Sequence, residues 1–113
     1  MISFAVELAF SEAERAKGLM NRKDLAADSG MIFDFKDDSV VVMWMKNTLI
    51  SLDMLFITAE GRISGIARNT VPLSLERIAA PGLVRYVLEI KGGTAERLKI
   101  RPGDRVEPFV TAP

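Results

Sequence analysis

The stretch S-V-V-V-M-W-M-K-N-T-L-I-S-L-D-M-L, Ser39 to Leu55, holds the chain's single tryptophan and governs how the rest is read. Its first half, Ser39–Met45, is apolar on both parities, which predicts a strand covered on both faces. The run breaks at Lys46-Asn47-Thr48, and Asp53 stands inside the next apolar run. The segment therefore reads first as an architectural pivot, a strand handing over to a turn that Asp53 pins. A site, if one exists, belongs where Trp44 and Lys46 leave that strand.

Upstream, Ile2, Phe4, Val6, Leu8 and Phe10 alternate with smaller or polar residues, the period-two signature of a half-buried strand. Ser11-Glu12-Ala13-Glu14 fits a capping box, and Gly18 suits the left-handed position that ends a short helix. Leu19–Arg22 reads as a connecting turn. Met31–Lys36 predicts a second strand, and Asp37-Asp38 a hairpin turn into the third at Ser39–Met45. Downstream, Asp53–Thr58 and Arg62–Arg68 are joined by Glu60-Gly61. Val71-Pro72-Leu73 and Ala80-Pro81-Gly82 bracket an expected surface loop.

Val84–Lys91 predicts a sixth strand. Val84, Tyr86, Leu88 and Ile90 lie on one parity, with Arg85, Val87, Glu89 and Lys91 on a more polar one. Gly92-Gly93-Thr94 opens a short helix to Leu98 with Thr94 as its expected N-cap. Arg101-Pro102-Gly103-Asp104 reads as a turn, and Val106–Val110 as a seventh strand. The expectation is one α+β domain over residues 1–113, a small, mostly antiparallel, barrel-like or curled sheet of about seven strands with two short helices.

Fifteen basic residues balance fifteen acidic ones, so no net field draws nucleic acid. Cysteine and histidine are both absent, which removes thiol nucleophiles, Ser-His pairs and zinc sites of sulfur and imidazole. No transmembrane span is expected, and no leader is read at Met1. No cofactor or metal is expected either. Met20, Met31, Met43, Met45 and Met54 invite a copper reading, but with no histidine or cysteine beside them they read as core filling.

Trp44, Lys46, Asn47 and Asp53 form the first candidate cluster: an aromatic wall with an amine, an amide and a carboxylate to orient a polar ligand. Asp53 alone reads more readily as the acceptor of loop amides. Arg22 and Glu89 are the second pair, an anion clamp and a carboxylate partner beside Trp44, or else ordinary charges on a solvated face.

The segments Gly18-Leu19-Met20-Asn21-Arg22, Gly30-Met31-Ile32-Phe33, Trp44-Met45-Lys46-Asn47-Thr48 with Leu52-Asp53, Leu88-Glu89, and Gly103-Asp104 before Val106 stand in one order along the chain. In that order and spacing the sequence resembles the DUF192 family of small bacterial and archaeal proteins. Asn21 departs from the family's pattern, in which an aromatic commonly stands there. The resemblance implies a small α+β protein on a curled or barrel-like sheet, and an exported, periplasmic or envelope location for a chain that carried a leader. It carries over no catalytic residue.

The leading functional expectation is a non-catalytic module that binds a small polar ligand or glycan at Arg22, Trp44, Lys46, Asn47, Asp53 and Glu89. A hydrolase or lyase using Asp53 and Glu89 as an acid–base pair is the first alternative, and it requires both carboxyls in one cleft. An assembly or interaction protein is the second.

Overall fold

The computed structural model describes residues 2–107, and these form a small α+β fold of five strands and two short helices. Strand β1 (Ala5–Ala9) runs into helix α1 (Glu12–Lys17) through a complete capping box. The Ser11 hydroxyl accepts from the Glu14 amide at 3.1 Å, and the Glu14 carboxylate accepts from the Ser11 amide at 2.9 Å. Gly18 ends the helix at φ 48°, and a Cβ there would stand 3.1 Å from the Phe33 ring. Both the dihedral and the close approach require glycine.

Strands β2 (Ser29–Met43) and β5 (Ile78–Lys91) are long partners at the centre, followed outward by β3 (Leu52–Ile57) and β4 (Ile63–Ala67). Helix α2 (Thr94–Arg97) follows β5. The sheet order is β1-β2-β5-β3-β4. The β1–β2 pair is parallel and the others are antiparallel, so the sheet is mixed. It is not closed, since β1 and β4 are edges. The expected barrel is thus corrected to an open sheet.

Among the described residues there are five strands where about seven are expected, and one of the two differences comes from turn-forming residues that make a bulge and join the expected second and third strands into β2. Asp37-Asp38 does not reverse the chain. Lys36 takes φ 77°, its amide bonds to the Asp34 carboxylate at 2.8 Å, and β2 continues to Met43. Across from it, Pro81 and Gly82 sit within β5, with Gly82 at φ 65°. Pairing is kept on both sides of the irregularity, Asp34 with Tyr86 and Ser39 with Val84. Of the expected strand Val106–Val110, residues 108–110 lie outside the described residues; before it a lone bridge joins Arg62 to Arg105.

Each face of the sheet has its own core. Beneath α1 and the loops around it, Met31, Phe33, Met54, Phe56 and Val87 pack together. On the α2 face, Ile32, Leu55, Ile57, Leu88, Ile90 and Ala95 do the same. The expected full cover of Ser39–Met45 does not hold: Val41 is buried, but Val40 is 82% exposed, paired with an exposed Leu83. Among the described residues, no helix is long and apolar enough to cross a membrane.

β5 runs close against Gly30 of β2, where a Cβ would run into the main-chain oxygen of Glu89. Gly30→Ala is expected to cost about 1–3 kcal/mol through forced separation of the two strands. Urea unfolding measures this, and an unchanged midpoint would show that the strands have slack there.

Candidate functional site

Glu89 stands at the centre of the α1 face. Its register partners are Met31 on β2 and Met54 on β3, so a carboxyl is flanked across the sheet by two buried thioether side chains. It is only 4% exposed. Among the described residues no side chain or amide is hydrogen-bonded to it. Yet no fully enclosed side-chain oxygen there lacks a partner, so the Glu89 carboxyl reaches open space. That space is a cavity of about 260 Å³ between α1 and the Trp44 loop. Burial among apolar groups pushes the Glu89 carboxyl up to about 8, because the charged form loses its water there. Glu89 is therefore protonated at neutral pH, a hydrogen-bond donor on the cavity floor.

The walls come from three parts of the chain. Glu12, Arg15 and Ala16, spaced i, i+3 and i+4, present one face of α1 to the cavity. Phe33 and Phe35 line it from β2, and Trp44, Lys46 and Thr48 from the loop that follows. That loop is held firmly despite carrying no regular structure. The Met45 amide donates to the Ser74 carbonyl at 3.0 Å, Leu73 N–H to the Thr48 carbonyl at 2.9 Å, and Asn21 N–H to the Asn47 carbonyl at 2.8 Å. Asn21 and Asn47 both take positive φ, 65° and 54°, which asparagine tolerates better than most residues.

Trp44 is 46% exposed, with Lys46 Nζ over its ring at 5.2 Å from the centroid. The strand ends at Met43, so strand parity does not bring Trp44 and Lys46 together; the turn does.

Of the six candidate residues, Trp44, Lys46 and Glu89 meet at this cavity. Asn47 is exposed beside it and shapes the turn through its backbone. Arg22 is held elsewhere. Its guanidinium grips the Glu7 carboxylate of β1 with both nitrogens, Nη2 to Oε1 at 2.8 Å, and this pairing lowers the Glu7 carboxyl below the usual range.

Asp53 faces the opposite side of the sheet, paired with Ile90 where its neighbour Met54 pairs with Glu89. It is 0% exposed. Its Oδ1 accepts from the Asn69 amide at 2.8 Å and the Gly93 amide at 3.2 Å, and its Oδ2 from the Ala95 amide at 2.8 Å. The cap of α2 is therefore supplied by a sheet carboxylate. Thr94 is not the N-cap that its sequence position suggests: Gly93 holds that place, with no side-chain cap of its own. The two carboxyls of the acid–base alternative thus sit on opposite faces and share no cleft.

The contribution of α1 went unread in the sequence. The i, i+3, i+4 spacing of Glu12, Arg15 and Ala16 after a capping box was the available signal. Burial of Glu89 had no local signal, since Arg85 and Lys91 share its parity. Of the methionines, Met31, Met45 and Met54 fill the core, while Met20 and Met43 line the cavity.

No curated protein matches the chain. Two solved structures are similar to it. One is described as "a putative transcription regulator" from Sinorhizobium meliloti 1021: it is 50% identical, with a TM-score of 0.89, covering 90% of this chain and 79% of that one. The other is a protein of unknown function from Novosphingobium aromaticivorans DSM 12444, 46% identical, with a TM-score of 0.90, covering 92% and 74%. The profile of DUF192, described as "Uncharacterized ACR", matches residues 2–108. That span takes in both the Trp44 loop and Glu89, and the chain belongs to the DUF192 family.

Proposed function

We propose that the protein is a non-catalytic binding module for a small polar ligand or glycan unit, held in the cavity between α1 and the Trp44 loop. The observation that carries this is Glu89: a buried carboxyl with no hydrogen-bond partner among the described residues, opening into a preformed space. A buried polar group without a partner costs free energy, and a ligand hydroxyl or carbonyl on it would recover that cost. Trp44 at the mouth supplies an exposed face on which a ring can stack. At about 260 Å³ the cavity lies just below the roughly 300–1,000 Å³ of drug-sized pockets, so a single ring suits it.

Asp53 is turned to the other face of the sheet and Glu12 stands at the exposed rim. Glu89 therefore has no acid–base partner in the form of Asp53, and binding is favoured over catalysis by that pair. An envelope location is what family resemblance suggests, and the cavity does not depend on it. The regulator description belongs to the S. meliloti protein; here fifteen acidic residues offset fifteen basic ones and favour no phosphate backbone.

Thermal-shift screening against monosaccharides and related small polar compounds tests the proposal. A ligand at 100 times its Kd should stabilise the protein by about 2.7 kcal/mol. Trp44→Ala should abolish that gain while changing the ligand-free stability by less than about 1 kcal/mol, since the ring is half in water. A screen with no stabilising compound, or a ligand whose effect survives Trp44→Ala, would remove the cavity from consideration.

A further inference from the structure

The rim of the cavity carries a charge pattern that bears on what enters it. Three cations line the space: Arg15 and Lys17 from α1, and Lys46 from the loop. None of them has a carboxylate partner among the described residues, where the ion pairs are Arg22–Glu7, Arg85–Asp34 and Arg105–Glu107. Arg15 instead donates to the carbonyls of Phe10 and Asp34 and lies over the Phe35 ring. Lys46 rests on Trp44, and both Lys17 and Lys46 are exposed. Glu12 is the acidic group at the rim. Glu7, on the same sheet face, is already neutralised by Arg22. The nearest strand neighbours of Glu89, Met31 and Met54, carry no charge. The mouth is thus net positive, and the floor is a single uncharged donor.

Building on the cavity reading, we propose that the ligand is a sugar acid, with its carboxylate among Arg15, Lys17 and Lys46 at the mouth and a hydroxyl accepting from Glu89 at the floor. Size, aromatic wall and charge all select it. A neutral sugar leaves the rim cations unused, and a cationic amine meets them as like charges. The floor group adds a dependence on pH. Protonated Glu89 donates to the ligand; once ionised it opposes an anion across a small, poorly hydrated space.

Three sugars of similar size and different charge separate the cases: glucuronate, glucose and protonated glucosamine, measured by calorimetric titration at about pH 6.5, below the value of about 8 to which burial pushes Glu89. Glucuronate is expected to bind most tightly and glucosamine least. Between about pH 6.5 and about pH 9 glucuronate affinity should fall on the order of tenfold or more, and Glu89→Gln should flatten that fall. Glucose binding as well as glucuronate, tighter binding of glucosamine, or glucuronate affinity that rises with pH would each overturn the anionic assignment and leave the cavity as a sugar site. Failure of all three sugars to bind would overturn the sugar-acid assignment, while the cavity reading stands or falls separately on the thermal-shift screen and Trp44→Ala.

Discussion

Glu89→Gln is expected to raise the stability of the folded protein by about 3 kcal/mol at pH 7 and by almost nothing at pH 4. Burial moves the Glu89 carboxyl from about 4.5 to about 8. Below the lower value both folded and unfolded chains hold the proton, and the group contributes no difference. Between the two values the unfolded chain ionises while the folded one does not, so the folded state binds the extra proton and stability falls as pH rises. Above about 8 the folded chain ionises too and the fall ends. Glutamine mimics the protonated form at every pH and removes the slope. Urea unfolding of both proteins across this range gives the result. Parallel curves with no divergence above pH 5 would mean that Glu89 is solvated in the native state, and the cavity floor would have to be redrawn. A sheet that carries this penalty where glutamine or leucine would fold better holds a group whose use lies outside folding.

The largest loss is expected at Asp53. Asp53→Ala strands the amides of Asn69, Gly93 and Ala95 at a fully buried position, at a cost of about 3–5 kcal/mol. Asp53→Asn keeps one acceptor oxygen but turns an NH₂ toward an amide, so about half that loss is expected. Hydrogen exchange adds a local measure, because the Ala95 amide should lose protection before the central strands do. A loss below about 1 kcal/mol for Asp53→Ala would mean that α2 docks through its apolar contacts and needs no carboxylate. Ligand binding on the opposite face should survive Asp53→Asn, which separates the structural acid from the one in the cavity.

What could be read from the chain alone follows the range of the physics involved. The α1 start at Ser11 and its end at Gly18 are set by neighbours within a few positions, and each stands where expected. Asp53 as an acceptor of loop amides was also legible, because a carboxylate inside an apolar run must find donors. Its donors, from Asn69 to Ala95, were not, since nothing local names them.

Asp37-Asp38 and Pro81-Gly82 were misread for a related reason. Residues that reverse a chain also serve in bulges, and only the partner strand decides between the two. Glu89 shows the same limit: what covers it comes from residues 12–19 and 42–48, on separate segments far along the chain.

The sheet order has a consequence for how the chain acquires its structure. β5 is the hub that joins β1–β2 to β3–β4, yet it comes after all of them in sequence. Gly30, paired on one side with Val6, finds its other partner only at Ile90, and Asp53 also pairs there. On a ribosome, β2 and β3 would each expose an unpaired edge until residues 78–91 emerge, with no stable half to form first. Folding must then be a single late event dominated by distant contacts, on the slower side for a chain of this size. Fragments ending before Ile78 would keep the apolar runs of β2 and β3 without the strand that separates them, which makes premature termination a route to aggregation.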